Sequence, residues 1–317
     1  MKKDLRIIFI GTPDFAVESL KSLLEAGKNV VAVITAPDRK AGRGQKINES
    51  AVKKYATARG IPVLQPTNLK KEHFLEELKS FQADLQIVVA FRMLPELVWN
   101  MPQHGTFNLH ASLLPNYRGA APINWAIING EEESGVTTFF LKHKIDTGDL
   151  ILQERVKIIS DETAGSLHDK LMYLGGELVV KTVDLIESKA VHPTPQPESE
   201  SKEAPKIFKN DCRVDWNKSA IEIDRLVRGM SPFPTAWSLL KNNKDEKETN
   251  VKLFSIEIVE EDHLAPGNIA LVDKELFVGT KDFNVKLTDI QLEGKKRMSI
   301  KELINGFNFE EYSFSKI

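Results

Sequence analysis

The feature that most constrains the fold is an alternation filling the first third of the chain. Short continuous apolar runs at residues 5–10, 30–34, 61–64, 85–91 and 106–109 are separated by stretches of helical spacing at 15–24, 51–59 and 74–81. Apolar runs without a polar face fit strands buried on both sides, and helices between them supply the crossovers of parallel pairs. The pattern predicts an α/β domain built on a doubly wound, mostly parallel, Rossmann-like sheet. Its ligands are expected beyond the carboxyl ends of the strands. After the first run, Gly11-Thr12-Pro13 makes the turn, with Thr12 expected to cap the helix and Pro13 to enter its first turn. The turn has neither G-x-G-x-x-G nor a P-loop lysine, which argues against a dinucleotide or a P-loop nucleotide.

Further on, residues 136–141 read as a strand and 150–159 as its antiparallel partner, with residues 142–148 as the loop between them. Residues 163–188 form a long helical stretch, with Leu167, Leu171, Leu174, Leu178 and Val179 near 3.6 spacing and Gly175-Gly176 weakening its middle. Residues 191–205 mix Pro with Ser, Glu and Gln and read as an exposed linker. This gives a catalytic domain at 1–190, a linker at 191–206 and a second domain at 207–317. In the latter, a helix at 221–230 precedes short strands at 251–258, 267–272, 275–279 and 284–291, as in a small barrel.

Composition narrows the function classes. A net charge of -2 offers no global attraction to nucleic acid, so any such contact must rest on a local patch. The single cysteine, Cys212, excludes an internal disulfide framework and leaves no Cys/His cluster for zinc. No apolar stretch approaches the roughly 18 residues of a membrane span, and a cytoplasmic location is expected.

Three polar residues sit at the ends of apolar runs. Asn108 and His110 are separated by one residue, so period-two alternation turns both to one face of their strand. Asp146 lies in the loop after the next strand and meets them if the two strands are neighbours. An amide that donates to an oxyanion, an imidazole that moves a proton near neutral pH, and a carboxylate that orients it together suit acyl transfer to an amine. Taken singly, each also suits an ordinary strand end or turn. Residues 38–46 carry Arg39, Lys40, Arg43 and Lys46 among glycines, a positively charged loop, and Lys295-Lys296-Arg297 is a second basic cluster. Phe91-Arg92-Met93-Leu94-Pro95 follows the most apolar run, where backbone groups can hold a flat ring.

Asn108-Leu109-His110-Ala111-Ser112-Leu113-Leu114-Pro115, Tyr117-Arg118-Gly119-Ala120-Ala121-Pro122-Ile123 and Asp146-Thr147-Gly148 resemble the signature of the folate-dependent formyltransferases. The similarity extends from Ile7-Ile8-Phe9-Ile10-Gly11-Thr12-Pro13-Asp14-Phe15-Ala16 to Gly294-Lys295-Lys296-Arg297-Met298, essentially the whole chain, and is greatest to members acting on methionyl-tRNA. The resemblance implies the formyltransferase fold with a C-terminal OB-like barrel that helps hold tRNA. It implies 10-formyltetrahydrofolate as donor, without a metal, and initiator methionyl-tRNA as partner of a monomeric enzyme. The catalytic set is Asn108, His110 and Asp146. The folate pocket draws on Phe91, Arg92, Met93 and Leu94, where the family more often has Tyr-Gly and a longer aliphatic, and on Ser112, Leu113, Leu114 and Pro115. Pro37-Asp38-Arg39 and Ala41-Gly42-Arg43-Gly44 match the family's tRNA-reaching loop. That match makes Arg43 the first tRNA contact, with Arg39, Lys40 and Lys46 supporting it and Lys295, Lys296 and Arg297 as a second contact.

Other outcomes stay open at this level. The same site could formylate another amine, or hydrolyse the donor, and a chain with a decayed pocket could simply bind tRNA. Sugar formyltransferases often add a dehydrogenase domain whose G-x-G-x-x-G is absent here, and the basic loop favours tRNA over water.

Overall fold

In the computed structural model, which describes residues 4–41, 46–197, 201–260 and 263–315, the apolar runs become strands. In chain order come β1 (Ile7–Gly11), α1 (Asp14–Glu25), β2 (Val30–Ile34), β3 (Arg39–Ala41), β4 (Lys46–Asn48), α2 (Ala51–Thr57), β5 (Val63–Leu64) and α3 (Glu72–Ser80). They are followed by β6 (Leu85–Val89), α4 (Glu96–Trp99), β7 (Thr106–His110), β8 (Arg118–Gly119), α5 (Pro122–Ile128), β9 (Glu133–Phe140), β10 (Leu150–Lys157), α6 (Ala164–Glu187) and β11 (Glu203–Ala204). The main sheet has the order β10-β9-β7-β6-β1-β2-β5. Strands β5, β2, β1, β6 and β7 are parallel, and β9 and β10 turn antiparallel at one edge.

Register decides which side chains share a face. Ile10 lies beside Val88, and Val88 beside Asn108. That face is covered by Phe74 and Leu78 of α3 and Val98 of α4, with Ile8, Ile10, Ala32, Ile34 and Val88 in one core cluster. Phe9, Ile87 and Phe107 are the alternate residues, fully buried on the opposite face. There α6 runs unbroken through Gly175 and Gly176, because any side chain at those positions would meet Leu109 and Ser22 at 2.7 and 2.5 Å. The pair that weakens the helix intrinsically is what lets it lie close to β7 and α1. Thr12 does not cap α1. Pro13 takes the capping position with no side-chain bond, and acidic Asp14 opens the first turn.

The chain divides into two compact units, the first made of Met1–Pro122, Glu133–Lys157 and His168–Ala204. The second comprises Ile123–Glu132, Ile158–Leu167 and Pro205–Ile317. The second contains α7 (Ala220–Met230), β12 (Ala236–Asn242), β13 (Glu248–Val259), β14 (Ile269–Val272), β15 (Glu275–Gly279), β16 (Asn284–Leu292), β17 (Met298–Ser299), α8 (Ile300–Leu303) and β18 (Tyr312–Phe314). Its antiparallel sheet, β14-β15-β16-β13-β12-β18, curls until Phe314 N donates to Gly267 O at 2.8 Å, nearly closing a barrel. Trp216, fully buried, fills the interior with Val227, Leu253, Val278 and Ile290 and donates its indole N–H to Ser238 Oγ at 2.9 Å. No described helix is long and apolar enough to cross a membrane.

Candidate active site

The site is built where β6 stops and β7 continues. Ala90, in the left-handed region at φ 49°, turns the chain away after Val89, so His110 extends one residue past its neighbour strand. Asn108 and His110 share a face as the spacing requires, while Phe107 and Leu109 are buried on the other. The Asn108 side chain is half-buried and makes no hydrogen bond to the described residues, which leaves its amide available to a ligand.

His110 is almost fully buried, and its Nε2 lies 2.8 Å from the Tyr117 carbonyl oxygen. A carbonyl only accepts, so Nε2 carries a proton in both charge states and Nδ1 is the nitrogen that gains or loses one. Nδ1 faces Asp146 Oδ2 at 4.0 Å, beyond direct hydrogen bonding but within ion-pair range. The carboxylate is itself oriented by accepting from Gly119 N at 3.1 Å. The three groups that the sequence separates therefore meet within one unit.

Two glycines of the motifs are fixed by sterics. A Cβ on Gly148 would fall 1.5 Å from the Phe140 carbonyl oxygen. Gly119, at φ +122°, would place one 2.5 Å from Ala204 O. Asp146 itself is left-handed, with φ 51°, a conformation that costs energy in a residue with a Cβ and persists only where neighbours impose it.

The turn after His110 is internal. Ser112 Oγ donates to Asn116 O at 2.7 Å, and buried Thr137 on β9 donates to Ser112 O at 2.6 Å while accepting from Leu114 N at 3.2 Å. Gln153 adds bonds to Leu114 O and Thr137 Oγ1 at 2.8 and 3.0 Å. Of the expected folate-lining residues, Ser112, Leu114 and Leu94 are buried, whereas Phe91, Met93, Leu113 and Pro115 keep accessible surface. Arg92 folds back to donate to Thr67 O at 3.2 Å and to Pro66 O, beside a groove of about 530 Å³ lined by residues 67–70 and 92–97. Among the described residues no group of three or more His, Cys, Asp or Glu side chains is placed to hold a metal ion.

The basic loop is a β3–β4 hairpin, with Arg39 exposed at its foot. Arg43 lies outside the described residues, and so do the side chains of Lys40 and Lys46. Asp38 anchors the foot, accepting from Gln65 Nε2 at 2.8 Å and from Lys53. The bond from Gln65 and then that from Lys53 hold the Asp38 carboxyl below its usual range. In the second unit, Lys295 and Lys296 are exposed, but Arg297 is held by Asp289 at 2.6 Å and lies 4.2 Å over the Phe254 ring. A further cationic and aromatic grouping, not expected from the sequence, lies earlier in this unit, at residues 206–237. Lys209 and Arg213 sit 5.3 and 5.6 Å from the Trp237 ring, and Lys206 lies 5.4 Å from Phe208, whose ring is 61% exposed. The interleaving of Lys206, Phe208 and Lys209 was visible in the sequence, whereas Trp237 joins through the Arg213–Val214 backbone that pairs with it and through its indole N–H, which donates to Lys209 O at 2.7 Å.

An amide, an imidazole and a carboxylate brought together at the carboxyl end of β7 suit acyl transfer to an amine. Residues 5–183 match the family described as formyl transferase and residues 206–308 match its C-terminal domain, so the chain belongs to the formyl transferase family. A methionyl-tRNA formyltransferase of Bacteroides fragilis is 54% identical over 316 residues, covering 98% of this chain and 97% of the relative. Another, of Flavobacterium johnsoniae, is 53% identical over 309 residues, covering 97% and 98%. Among solved structures, HypX of Aquifex aeolicus in complex with tetrahydrofolic acid aligns with a TM-score of 0.65 at 22% identity, over 95% of this chain and 47% of that one. The sugar 3N-formyltransferase WlaRD, solved with dTDP and 5-N-formyltetrahydrofolate, aligns with a TM-score of 0.65 at 19% identity, over 92% and 99%. At these identities the two structures share the fold.

Proposed function

We propose that this chain transfers the formyl group of 10-formyltetrahydrofolate to the α-amine of initiator methionyl-tRNA. The observation that carries the reading is identity of 54%, across nearly the full length of both chains, with a protein named methionyl-tRNA formyltransferase. The Asn108, His110 and Asp146 geometry supports the chemistry, and the uncommitted Asn108 amide at a strand end fits a donor whose carbonyl needs a hydrogen bond. Phe91, Met93 and Pro115 supply surface for its flat ring. The reading makes the protein a cytoplasmic monomer, with Arg43, Arg39, Lys40 and Lys46 toward the acceptor end and Lys295, Lys296 and the Lys206–Trp237 grouping as further cationic contacts. Arg297 serves the barrel through Asp289 and Phe254.

In this mechanism the substrate amine attacks the formyl carbon while Asn108 donates to the oxygen that gains charge, and the tetrahedral adduct collapses by breaking the bond from that carbon to N10 of the folate, which leaves with the proton the amine gives up. His110, held by Tyr117 through Nε2, offers its other face, and Nδ1 gives or takes the proton. An amine or water about 2.8 Å from both Nδ1 and Asp146 Oδ2 fits beside the 4.0 Å gap between them and passes its proton to either. Burial of the imidazole limits the access of bulk water to Nδ1. The test is to give the enzyme 10-formyltetrahydrofolate with charged initiator tRNA, uncharged tRNA or buffer alone. Donor consumption that requires the methionyl ester supports the proposal, and equal consumption in buffer alone would make the chain a hydrolase.

A further inference from the structure

Residue 196 lies between the two family matches, which end at 183 and resume at 206. The described residues of this segment, read from sequence as a linker, are mostly exposed yet bonded at both ends. Thr194 and Leu150 exchange backbone hydrogen bonds of 2.8 and 2.9 Å. Tyr117 N donates to Lys202 O at 2.6 Å, and β11 pairs with β8 at Glu203–Arg118 and Ala204–Gly119. Residue 194 is thus tied to the start of β10, and residues 202–204 to the loop that carries Tyr117 and Gly119, the partners of His110 and Asp146.

Gln196 lies between these two ties. Its Nε2 donates to the carbonyl oxygens of Asp146 and Gly148, both at 2.9 Å. Its Oε1 accepts from Nε and Nη2 of Arg118, the first at 3.1 Å. Only one orientation of the amide satisfies both ends, because guanidinium only donates and carbonyls only accept. Asp146 is thus held twice: at its left-handed backbone by Gln196, and at its carboxylate by Gly119, the residue after Arg118. Releasing the backbone grip lets a strained residue relax and swing its carboxylate from Nδ1 of His110.

We infer that Gln196 is a positioning residue for Asp146, so that the segment between the two family domains completes the catalytic site. The inference rests on the proposed function, since it assigns Gln196 an effect through Asp146. Gln196→Glu keeps the volume and the Arg118 partner but replaces a donor to two carbonyls with an acceptor, which repels them. Gln196→Ala removes the bridge.

The full chain and the Gln196→Glu, Gln196→Ala and Asp146→Asn variants are compared for formyl transfer to methionyl-tRNA, with kcat and KM measured separately, and their unfolding temperatures are recorded. Both Gln196 variants are expected to lose about 10- to 100-fold in kcat with KM for donor and tRNA within about threefold, as when a reacting group is displaced by a fraction of an ångström. Unchanged kcat in both variants overturns the inference. So does a loss confined to KM, or one accounted for by a smaller folded fraction at the assay temperature, since either marks a merely structural role. Asp146→Asn separates the two claims. Full activity in that variant removes the site reading and this inference with it, whereas inactivity beside fully active Gln196 variants removes the inference alone.

Discussion

Thr137→Val probes the support under the imidazole with little change of volume. Thr137 is fully buried, and its hydroxyl donates to Ser112 O while accepting from Leu114 N and Gln153 Nε2. Valine keeps the β-branched shape but leaves Ser112 O and Leu114 N without this partner. Each orphaned buried group costs about 1–3 kcal/mol, so the variant should lose roughly 2–6 kcal/mol. Thr137→Ser keeps the hydroxyl and loses one methyl, for about 1 kcal/mol. Urea denaturation of the full chain measures both as shifts of the midpoint. Because the turn begins two residues after His110, residual folded enzyme should also transfer formyl more slowly. A valine variant within about 0.5 kcal/mol of the parent, or a serine variant equally damaged, would refute the role given to the hydroxyl.

Two further outcomes follow from charge. Arg43→Ala should raise KM for methionyl-tRNA and lower the salt slope of tRNA binding by about 0.7–0.9, with donor affinity unchanged, and an unaltered slope and KM together would remove this arginine from the interface. Glu222 caps α7 with Ser219, whose hydroxyl and then backbone N–H hold its carboxyl below the usual range. A depressed folded value contributes stability above the unfolded value near 4.3 that fades as pH falls through the folded one. Glu222→Ala should therefore cost about 0.5–1 kcal/mol at pH 7 and progressively less below about pH 4, and a difference constant with pH would contradict the cap.

What the sequence disclosed and what it hid have separate physical origins. The five parallel strands were legible because burial on both faces leaves continuous apolar runs, and Asn108 with His110 because strand period turns alternate residues alike. Hidden were contacts made through backbone carbonyls. Gln196 sits in a Pro- and Ser-rich stretch whose composition marks exposure, and nothing in it signals the carbonyls of Asp146 and Gly148. Thr137 reads as any β-branched strand residue, although its hydroxyl bonds three groups. Gly175 and Gly176 look like a helix fault until Leu109 and Ser22 are seen against them. Arg297 reads as part of a basic cluster, yet Asp289 and Phe254 hold it in the barrel.

The most direct measurement is single-turnover transfer of labelled formyl from 10-formyltetrahydrofolate to initiator methionyl-tRNA by the parent chain and by Asn108→Ala. Label should appear on the amine of tRNA-bound methionine, and the variant should be about 10²- to 10³-fold slower at saturating donor while unfolding at the same temperature. Label released only as formate, or a variant within about threefold of the parent, would contradict an oxyanion held by the side chain at the end of β7.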